Sequence, residues 1–282
     1  VSWGCSLSGG IDSSIICALA KERGYDFNCY VLDAGGSDDY RSAKLVTEHL
    51  NLPLKIVTVT KKDILEALPV VVEALATYNS QLILGGLATY LISKAAAKDG
   101  LKVLLFGEGA DEMFGGYGRH KEAISSQEAQ QRMIDDQNNL WLSHNKRVDH
   151  ASMAASIEAR VPFQDLNVVA NSRQIPMDKK IDPHNRFRDK IILREVGLKY
   201  LPKEICSRKK TVISKGSGLS SILQETLKTI SYEDVSQFDI LNYNLQNKPE
   251  LFFLSLWKKN YSGMGYNHLD LVSRNLFSSS RA

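Results

Sequence analysis

The feature that most constrains the fold is a regular alternation of short β-rich runs with helical patterns over residues 1–106. Four runs have the composition of strands, at residues 1–7, 27–32, 54–59 and 103–106. Segments with apolar residues at helical spacing lie between them, over residues 13–21, 37–50, 64–75 and 83–98. Strands joined by helices of this length pair in parallel. The pattern therefore predicts an α/β fold, a parallel sheet with helices on both faces.

From about residue 120 onward, strand-like runs nearly vanish and helical segments joined by polar turns dominate. We therefore predict an α/β part over residues 1–117 and a mainly helical C-terminal lobe over residues 118–282. We expect the lobe to pack beside the sheet and complete its site, so that both parts form one integrated domain.

The charge balance gives no reason to expect a nucleic-acid or membrane partner. The sequence has 35 Lys and Arg against 32 Asp and Glu, a net charge of +3. Its longest apolar runs fall short of the ~18 residues that a membrane span needs. The four cysteines lack metal-ligand spacing, and three of them lie in apolar runs typical of buried thiols, so we expect a reducing, cytoplasmic location. The chain begins at Val1, which leaves a fragment of a longer protein as one interpretation.

The first segment suited to chemistry is SLSGGIDSS, residues 6–14, between the first strand and the first helix. Gly9 and Gly10 let the backbone turn its N–H groups toward an anion, and the helix adds its positive end. Asp12 would repel a phosphate unless a Mg²⁺ ion bridged the two, since Mg²⁺ binds carboxylate and phosphate oxygens together. The spacing is not that of a Walker-type loop. An ordinary glycine turn with Asp12 as a helix cap is the simpler alternative.

The second segment is FGEGADEMFGGYGRH, residues 106–120, which follows the fourth strand. It clusters Glu108, Asp111 and Glu112 among glycines, a composition that suits metal or proton binding beside a ligand. A solvated acidic loop is the alternative. Ligands of open parallel sheets bind beyond the carboxyl ends of the strands. With the first strand central and the fourth beside it, Asp12 and Asp111 would share one Mg²⁺.

These segments resemble known families. SLSGGIDSS resembles the pyrophosphate loop of ATP pyrophosphatases, and GEGADEMFGGY is similar to a segment of asparagine synthetases. Three further stretches resemble segments of the same synthetases, in the same order. They are SMAASIEARVPFQD, the residues around Lys190 and Arg194, and CSRKKTVISKGSG. The resemblance covers about residues 1–218. It implies a doubly wound parallel sheet of the ATP pyrophosphatase type, with residues 1–117 as the nucleotide-binding part.

The resemblance also implies a reaction. A substrate carboxylate attacks the α-phosphate of ATP, pyrophosphate leaves, and a nitrogen nucleophile then displaces AMP to form an amide. The implied cofactors are ATP and Mg²⁺. The nitrogen would come from ammonia or from a separate glutaminase subunit or domain. Homo-oligomer formation is left open.

Site residues follow from the matched motifs. The resemblance assigns proton handling to Glu108, charge stabilisation to Lys210, a place near the substrate to Glu158, and Mg²⁺ binding to Asp12 and Asp111. ATP would contact the remaining matched residues, which are Ser8, Gly9, Gly10, Asp12, Ser13, Leu32, Phe106 and Gly107.

Two departures from the family pattern bear on the substrate. Gln81 and Leu84 stand where asparagine synthetases usually carry Thr and Arg, which serve aspartate activation in that family. Aspartate is therefore one interpretation, and an adenylating ligase or cyclase for another carboxylate is a second. Related β-lactam-forming synthetases carry Tyr at the place of Glu108, so this Glu favours an amide product. An inactive ATP-binding regulatory protein is a third interpretation, against which Asp12, Glu108, Asp111 and Lys210 count.

Overall fold

Five parallel strands form the central sheet in the computed structural model, which describes residues 1–182, 189–211, 213–228 and 248–261. The strands are β1 (Trp3–Ser6), β2 (Asn28–Asp33), β3 (Leu54–Thr58), β4 (Val103–Leu105) and β5 (Glu158–Arg160). Their order across the sheet is β3-β2-β1-β4-β5. The predicted α/β class is confirmed, and so is the central position of β1 with β4 beside it.

Helices occupy both faces of this sheet and most of the C-terminal half. Those in the first half are α1 (Ile11–Glu22), α2 (Asp38–Leu50), α3 (Lys61–Leu75), α4 (Ser80–Lys98), α5 (Ala110–Phe114) and α6 (Gly118–Lys121). Those that follow are α7 (Ser126–Asn139), α8 (His144–Met153), α9 (Leu166–Gln174), α10 (Ile191–Gly197), α11 (Lys203–Ser207), α12 (Ile213–Gly216), α13 (Leu219–Lys228) and α14 (Lys248–Asn260). The mainly helical C-terminal lobe is confirmed over its described residues.

Two apolar cores lie on opposite faces of the sheet, as the period of two along a buried strand requires. On β2, Tyr30 and Leu32 belong to the core formed with α3, α4, α13 and α14. Cys29 and Val31 belong to the core formed with α1 and α2. The sheet is thus doubly wound, and side chains in the middle of β2 are committed to packing.

Side-chain caps fix where several helices begin. The Ser37 side chain accepts a hydrogen bond from the Tyr40 backbone N–H at 3.2 Å, so the predicted cap of α2 is confirmed. Asn79 caps α4 through the N–H groups of Gln81 and Leu82. Helix α4 therefore begins at Ser80, before the predicted residue 83, and its first turn belongs to the edge of the site.

Strand β5 was not predicted. It consists of Glu158–Arg160, pairs in parallel with β4, and comes from the half that we expected to be helical. The segment Glu-Ala-Arg lacks the β-branched and aromatic residues typical of strands. Its pairing instead rests on the main chain, through Glu158 N–H to Lys102 C=O and Phe106 N–H to Arg160 C=O, both at 2.9 Å. Because the sheet draws on both halves, we propose that residues 1–117 and 118–282 form one integrated domain.

The last two described helices close the face of the sheet that carries α3 and α4. Glu250 of α14 accepts hydrogen bonds from the backbone N–H and the hydroxyl of Ser80, at 3.2 and 3.3 Å.

Residues 229–247 and 262–282 of the predicted lobe lie outside the described residues. In the described ranges, no single helix has the length and apolar composition of a bilayer span. Helices α3 and α4 meet that criterion only as a pair, and the pair is bent by 114°.

Candidate functional site

The loop between β1 and α1 closes on itself through its own hydroxyl groups. The Ser8 backbone N–H donates to Ser13 Oγ at 3.3 Å, and the Gly10 N–H donates to Ser8 Oγ at 3.4 Å. Gly10 caps α1 without a side chain of its own. The loop therefore presents Ser8, Gly10 and Ser13 at the positive end of a buried twelve-residue helix, a setting that suits an anion.

Gly9 serves the turn of this loop and its packing on α2. Its φ is +67°, and a Cβ atom there would come within 2.4 Å of Ser42 Cβ and 2.6 Å of the Ala43 backbone N. Gly9 is thus required for the turn and for close packing on α2. It does not line the cavity described below, so contact of its own atoms with a ligand is not supported.

The two predicted loops meet beyond the carboxyl ends of β1 and β4. A Cβ atom on Gly107 would lie 3.0 Å from Asp12 Cβ and 3.1 Å from the Ser13 backbone N. Glycine at residue 107 therefore eases this close approach of the two loops. The expectation that these loops face each other across one crevice is confirmed.

Asp12 and Asp111 meet at a single ammonium group. Lys190 Nζ donates to both carboxylate oxygens of Asp12, at 2.7 and 2.5 Å, and lies 2.6 Å from Asp111 Oδ1. The Lys190 side chain is 1% exposed. Burial opposes its charge, but the two carboxylates outweigh that effect and raise the pKa of Lys190. The predicted pairing of the two acids is present, with an ammonium between them.

The two acids have different environments. Burial raises the pKa of Asp12, and Lys190 offsets this only in part. Asp111 is half-buried, which also raises its pKa, but Lys190 and Lys210 together hold that pKa well below the ordinary value. Lys210 Nζ forms an ion pair with Asp111 Oδ2 and lies 4.1 Å from the centre of the Tyr117 ring. Asp111 is therefore the firmly ionised member of the pair.

Lys210 lies in an irregular segment between α11 and α12. Val212 of this segment lies outside the described residues. Arg208 anchors the segment by donating to the Ser8 carbonyl at 2.7 Å and to Asp39 Oδ1 at 2.6 Å. Burial raises the pKa of Asp39 to about 6, although Arg208 opposes the shift. The segment is thus tied to the β1–α1 loop by polar contacts.

Helix α8 supplies two further groups on one face, at positions i and i+3. Arg147 Nη2 donates to Glu108 Oε1 at 2.5 Å. His144 Nδ1 lies 3.0 Å from Glu112 Oε1, which also accepts from the Tyr117 hydroxyl at 2.5 Å. Neither α8 residue was assigned from the sequence, where both read as part of a polar helix surface. Their helical spacing was the available signal, but it did not show what faced them.

These groups line one cavity of about 940 Å³. The lining includes the predicted residues Ser8, Gly10, Asp12, Ser13, Phe106, Gly107, Glu108, Asp111 and Lys210. It also includes Gln81 and Leu84 of α4, the two departures from the family pattern. Eight Lys or Arg side chains and five Asp or Glu side chains contribute, so the lining has an excess of positive charge. Such a cavity suits a polyanionic ligand.

Two predicted residues lie elsewhere. Glu158 is on β5, with a side chain 53% exposed, and bonds to Arg160 Nη2 at 2.6 Å. It stands at the amino end of its strand, outside the cavity, where it forms a surface ion pair with Arg160. Leu32 is 1% exposed within the core under α3 and α4, so its side chain is unavailable to a nucleotide. Neither side chain lines the cavity in this structure, and the roles assigned to the two residues stay predictions.

A magnesium ion would need ligands besides the protein. Within the described residues, no three His, Cys, Asp or Glu side chains converge as a metal site. The donor set of Asp12 and Asp111 nevertheless fits Mg²⁺ carried by a nucleotide, because Mg²⁺ commonly takes one or two carboxylates together with phosphate oxygens.

His120, behind the site, is expected to make the protein sensitive to acid. Its side chain is fully buried, Nε2 lies 2.7 Å from Asp136 Oδ2, and Nδ1 has no hydrogen-bond partner among the described residues. Burial, aided by the charge of Arg119, lowers the pKa of His120 to about 3. The unfolded chain binds this proton near pH 6.5. Stability from the neutral ring is thus complete above pH 6.5 and is lost as the pH falls toward 3.

We expect His120→Gln to reduce the loss of folding stability at pH 4.5 by ~2–3 kcal/mol. This pH is two units below the pKa of histidine in the unfolded chain, and each unit corresponds to about 1.4 kcal/mol. Urea denaturation of both proteins between pH 7.5 and 4.5 measures it. If the free energy of unfolding fell equally with pH in both proteins, His120 would not be the cause of the acid sensitivity.

Comparisons with known proteins agree with the motifs. A family model described as asparagine synthase matches residues 1–144 and 122–249. The glutamine-hydrolyzing asparagine synthetase B of Escherichia coli is 33% identical over 251 residues, which are 84% of this chain and 45% of that protein. The glutamine-hydrolyzing asparagine synthetase of Brassica oleracea is 31% identical over 251 residues, 84% of this chain and 42% of that protein. The chain spans about half the length of the curated relatives it matches. It belongs to the asparagine synthase family.

Proposed function

We propose that the chain is an ATP-dependent ligase that adenylates a substrate carboxylate, aspartate or a related acid, and then forms an amide. The observation that carries the proposal is the cavity in which Asp12, Glu108, Asp111 and Lys210 lie together beyond the carboxyl ends of β1 and β4. Family membership supports ATP as the nucleotide, and the names of the relatives support an amide product.

In the first step, an oxygen of the substrate carboxylate attacks the α-phosphorus of ATP. The bond from that phosphorus to the oxygen bridging the α- and β-phosphates breaks, and pyrophosphate leaves with the electron pair. The Ser8–Ser13 loop would hold the phosphates by N–H and hydroxyl donors, while Lys210 would offset the charge that develops on them. Bound Mg²⁺, held by Asp12 and Asp111, would neutralise phosphate charge.

In the second step, a nitrogen nucleophile attacks the acyl carbon of the adenylate, and the bond to the AMP oxygen breaks. The nitrogen must lose a proton. We propose that Glu108 accepts it, because its carboxylate lines the cavity beside the loops that would hold the adenylate. We propose ammonia as the nucleophile, supplied by glutamine hydrolysis in a separate subunit or domain, as the names of the relatives suggest.

A second candidate is an adenylating ligase or cyclase for a different carboxylate. The lining positions Gln81 and Leu84 favour it, because they differ from the residues that serve aspartate in the resembled synthetases. An inactive ATP-binding protein is disfavoured by the intact polar cluster. We also propose a cytoplasmic location, because the four cysteines are free thiols in the structure.

Substitution of Glu108 separates the two steps. Glu108→Gln keeps the size of the side chain but removes the proton acceptor. We expect it to slow AMP release on addition of ammonia ~100-fold, the lower end of what a general base contributes, while carboxylate-dependent pyrophosphate exchange falls much less. The two rates are measured separately, by AMP formation and by incorporation of labelled pyrophosphate into ATP.

Glu158→Gln is the matched control, because it makes the same chemical change on an exposed strand outside the cavity. Both steps should be unchanged in it. Equal losses in the two steps of Glu108→Gln would assign Glu108 to substrate or ATP binding instead of proton transfer.

A further inference from the structure

We propose that Asp39, a buried carboxylate of α2 outside the cavity, is a positioning residue that sets where Lys210 stands relative to the Ser8–Ser13 loop. The inference rests on the proposed function, because Lys210 acts there during adenylate formation. It deepens that function by assigning the placement of a catalytic ammonium to a residue that does not line the cavity.

Asp39 holds the chain just before Lys210. Its Oδ1 accepts a hydrogen bond from Arg208 Nη2 at 2.6 Å, and Arg208 Nη1 donates to the Ser8 carbonyl at 2.7 Å. The guanidinium therefore joins α2 to the loop that would hold phosphates. Arg194 fixes the same stretch of main chain, because its Nη1 donates to the Arg208 carbonyl at 2.9 Å.

Asp39 also contacts the chain that follows Lys210. A Cβ atom on Gly216 of α12 would lie 2.5 Å from Asp39 Oδ2 and closer still to Oδ1. The carboxylate thus rests on bare main chain, and a side chain at residue 216 would force the two apart. The chain just beyond is held as well, since the Ala34 N–H donates to the Ser217 carbonyl at 2.9 Å. One carboxylate therefore contacts the chain on both sides of Lys210.

The face of α2 that carries Asp39 also supports the Ser8–Ser13 loop. Ser42 lies three positions further along the helix and so on the same face. A Cβ atom on Gly9 would lie 2.6 Å from the Ala43 backbone N and closer still to Ser42 Cβ. One helix face therefore sets the separation between this loop and the chain that carries Lys210. A misplacement of about 1 Å in such an arrangement can cost ~100-fold in rate.

The charge of Asp39 is what binds Arg208. The Asp39 side chain is 3% exposed, and Arg208 is the one described residue that forms an ion pair with it. Its Oδ2 has no hydrogen-bond partner among the described residues. Burial and the neighbouring Asp38 raise the pKa of Asp39 to about 6, and Arg208 opposes them. Apolar residues often stabilise a core as well as a buried ion pair does, so stability alone does not account for this carboxylate.

Trypsin digestion without nucleotide or substrate tests the anchoring. Asp39→Asn keeps the size of the side chain and removes its charge. We expect cleavage at Arg208–Lys210 to become ~10-fold or more faster, the scale expected when a hydrogen bond between charged groups is lost. Asp38→Asn is the matched control, because it makes the same change one residue earlier, in an exposed carboxylate paired with Arg41. It should leave the rate of cleavage unchanged.

Coupling to Lys210 separates positioning from a merely structural role. Asp39→Asn should slow single-turnover pyrophosphate release ~10-fold or more, and change the Kd of ATP less than about twofold. In a Lys210→Ala background, the same substitution should slow release less than about twofold, because no ammonium is left to place. Asp38→Asn should change neither rate nor affinity.

Independent effects, in which the rate losses of Asp39→Asn and Lys210→Ala multiply, would overturn the inference. So would equal rates of cleavage in the wild-type chain and Asp39→Asn. If Asp39→Asn fails to fold by circular dichroism, Gly216→Ala takes its place in both experiments, because its Cβ would displace the same carboxylate. Absence of pyrophosphate exchange with every carboxylate in the wild-type chain would instead overturn the proposed function, and the inference with it, even where proteolysis shows the anchoring.

Discussion

Lys190→Met should lower the free energy of unfolding by roughly 3–5 kcal/mol, the scale for removing one partner of a buried ion pair. Lys190 Nζ is the only described cation within bonding distance of Asp12, and it also contacts Asp111. Asp111 keeps Lys210, so the cost falls mainly on Asp12, whose carboxylate would be left buried and unpaired. Urea denaturation at pH 7, with circular dichroism as the signal, measures the loss.

The double variant Asp12→Asn/Lys190→Met should recover much of that stability, because it removes the stranded charge along with its partner. Lys21→Met provides a surface control, since the Lys21–Asp26 pair is largely exposed and such pairs contribute little. A loss below about 1 kcal/mol in Lys190→Met would show that Lys190 does not hold the two carboxylates in solution.

Lys210→Ala should cut the rate of adenylate formation ~100-fold or more and leave ATP binding nearly intact. A loss of rate on this scale is expected when one charge partner of a transition state is removed. Lys210 reaches the cavity from an irregular segment and contacts Asp111 and the Tyr117 ring. Lys210→Arg should restore little activity, because a guanidinium is larger and differently hydrated than an ammonium. Single-turnover pyrophosphate release and equilibrium nucleotide binding separate the two effects.

We also expect the segment around Lys210 to become more ordered when nucleotide binds, as lids over phosphates commonly do. Trypsin should then cut at Arg208–Lys210 more slowly in the presence of Mg-ATP. Loss of ATP binding in Lys210→Ala, in step with the loss of rate, would assign Lys210 to ground-state binding. Equal rates of cleavage with and without Mg-ATP would contradict only the expectation that the segment becomes more ordered, and not the role of Lys210 in catalysis.

Local pattern was enough to predict the half of the fold in which strands and helices alternate. The alternation of β-rich runs with segments of helical spacing predicted the parallel sheet. With β1 central and β4 beside it, the meeting of Asp12 with Asp111 at the carboxyl ends of these strands could be foreseen. Strand β5 could not, because its pairing with β4 uses main-chain groups that any sequence carries. Glu158 was assigned a place near the substrate from the family resemblance alone, without knowledge of its strand or its exposure.

The remaining site residues depend on contacts between distant parts of the chain. Lys190 is 178 positions from Asp12, and its motif did not show that it would stand between two acids. Arg147 belongs to a polar helix whose pattern is that of a solvated face. Its bond to Glu108 appears only in the tertiary structure. Residue type and spacing thus identified the loops, whereas the cations that organise them required the tertiary structure.

Carboxylate-dependent exchange of labelled pyrophosphate into ATP is the most direct test of adenylation in this cavity. It requires the wild-type chain, ATP, Mg²⁺ and a panel of mono- and dicarboxylates, with no nitrogen donor. We expect exchange with at least one carboxylate, AMP release only after ammonia is added, and no exchange in a folded Asp111→Asn variant. Cleavage of ATP to ADP and phosphate without exchange, or full exchange in Asp111→Asn, would contradict the account.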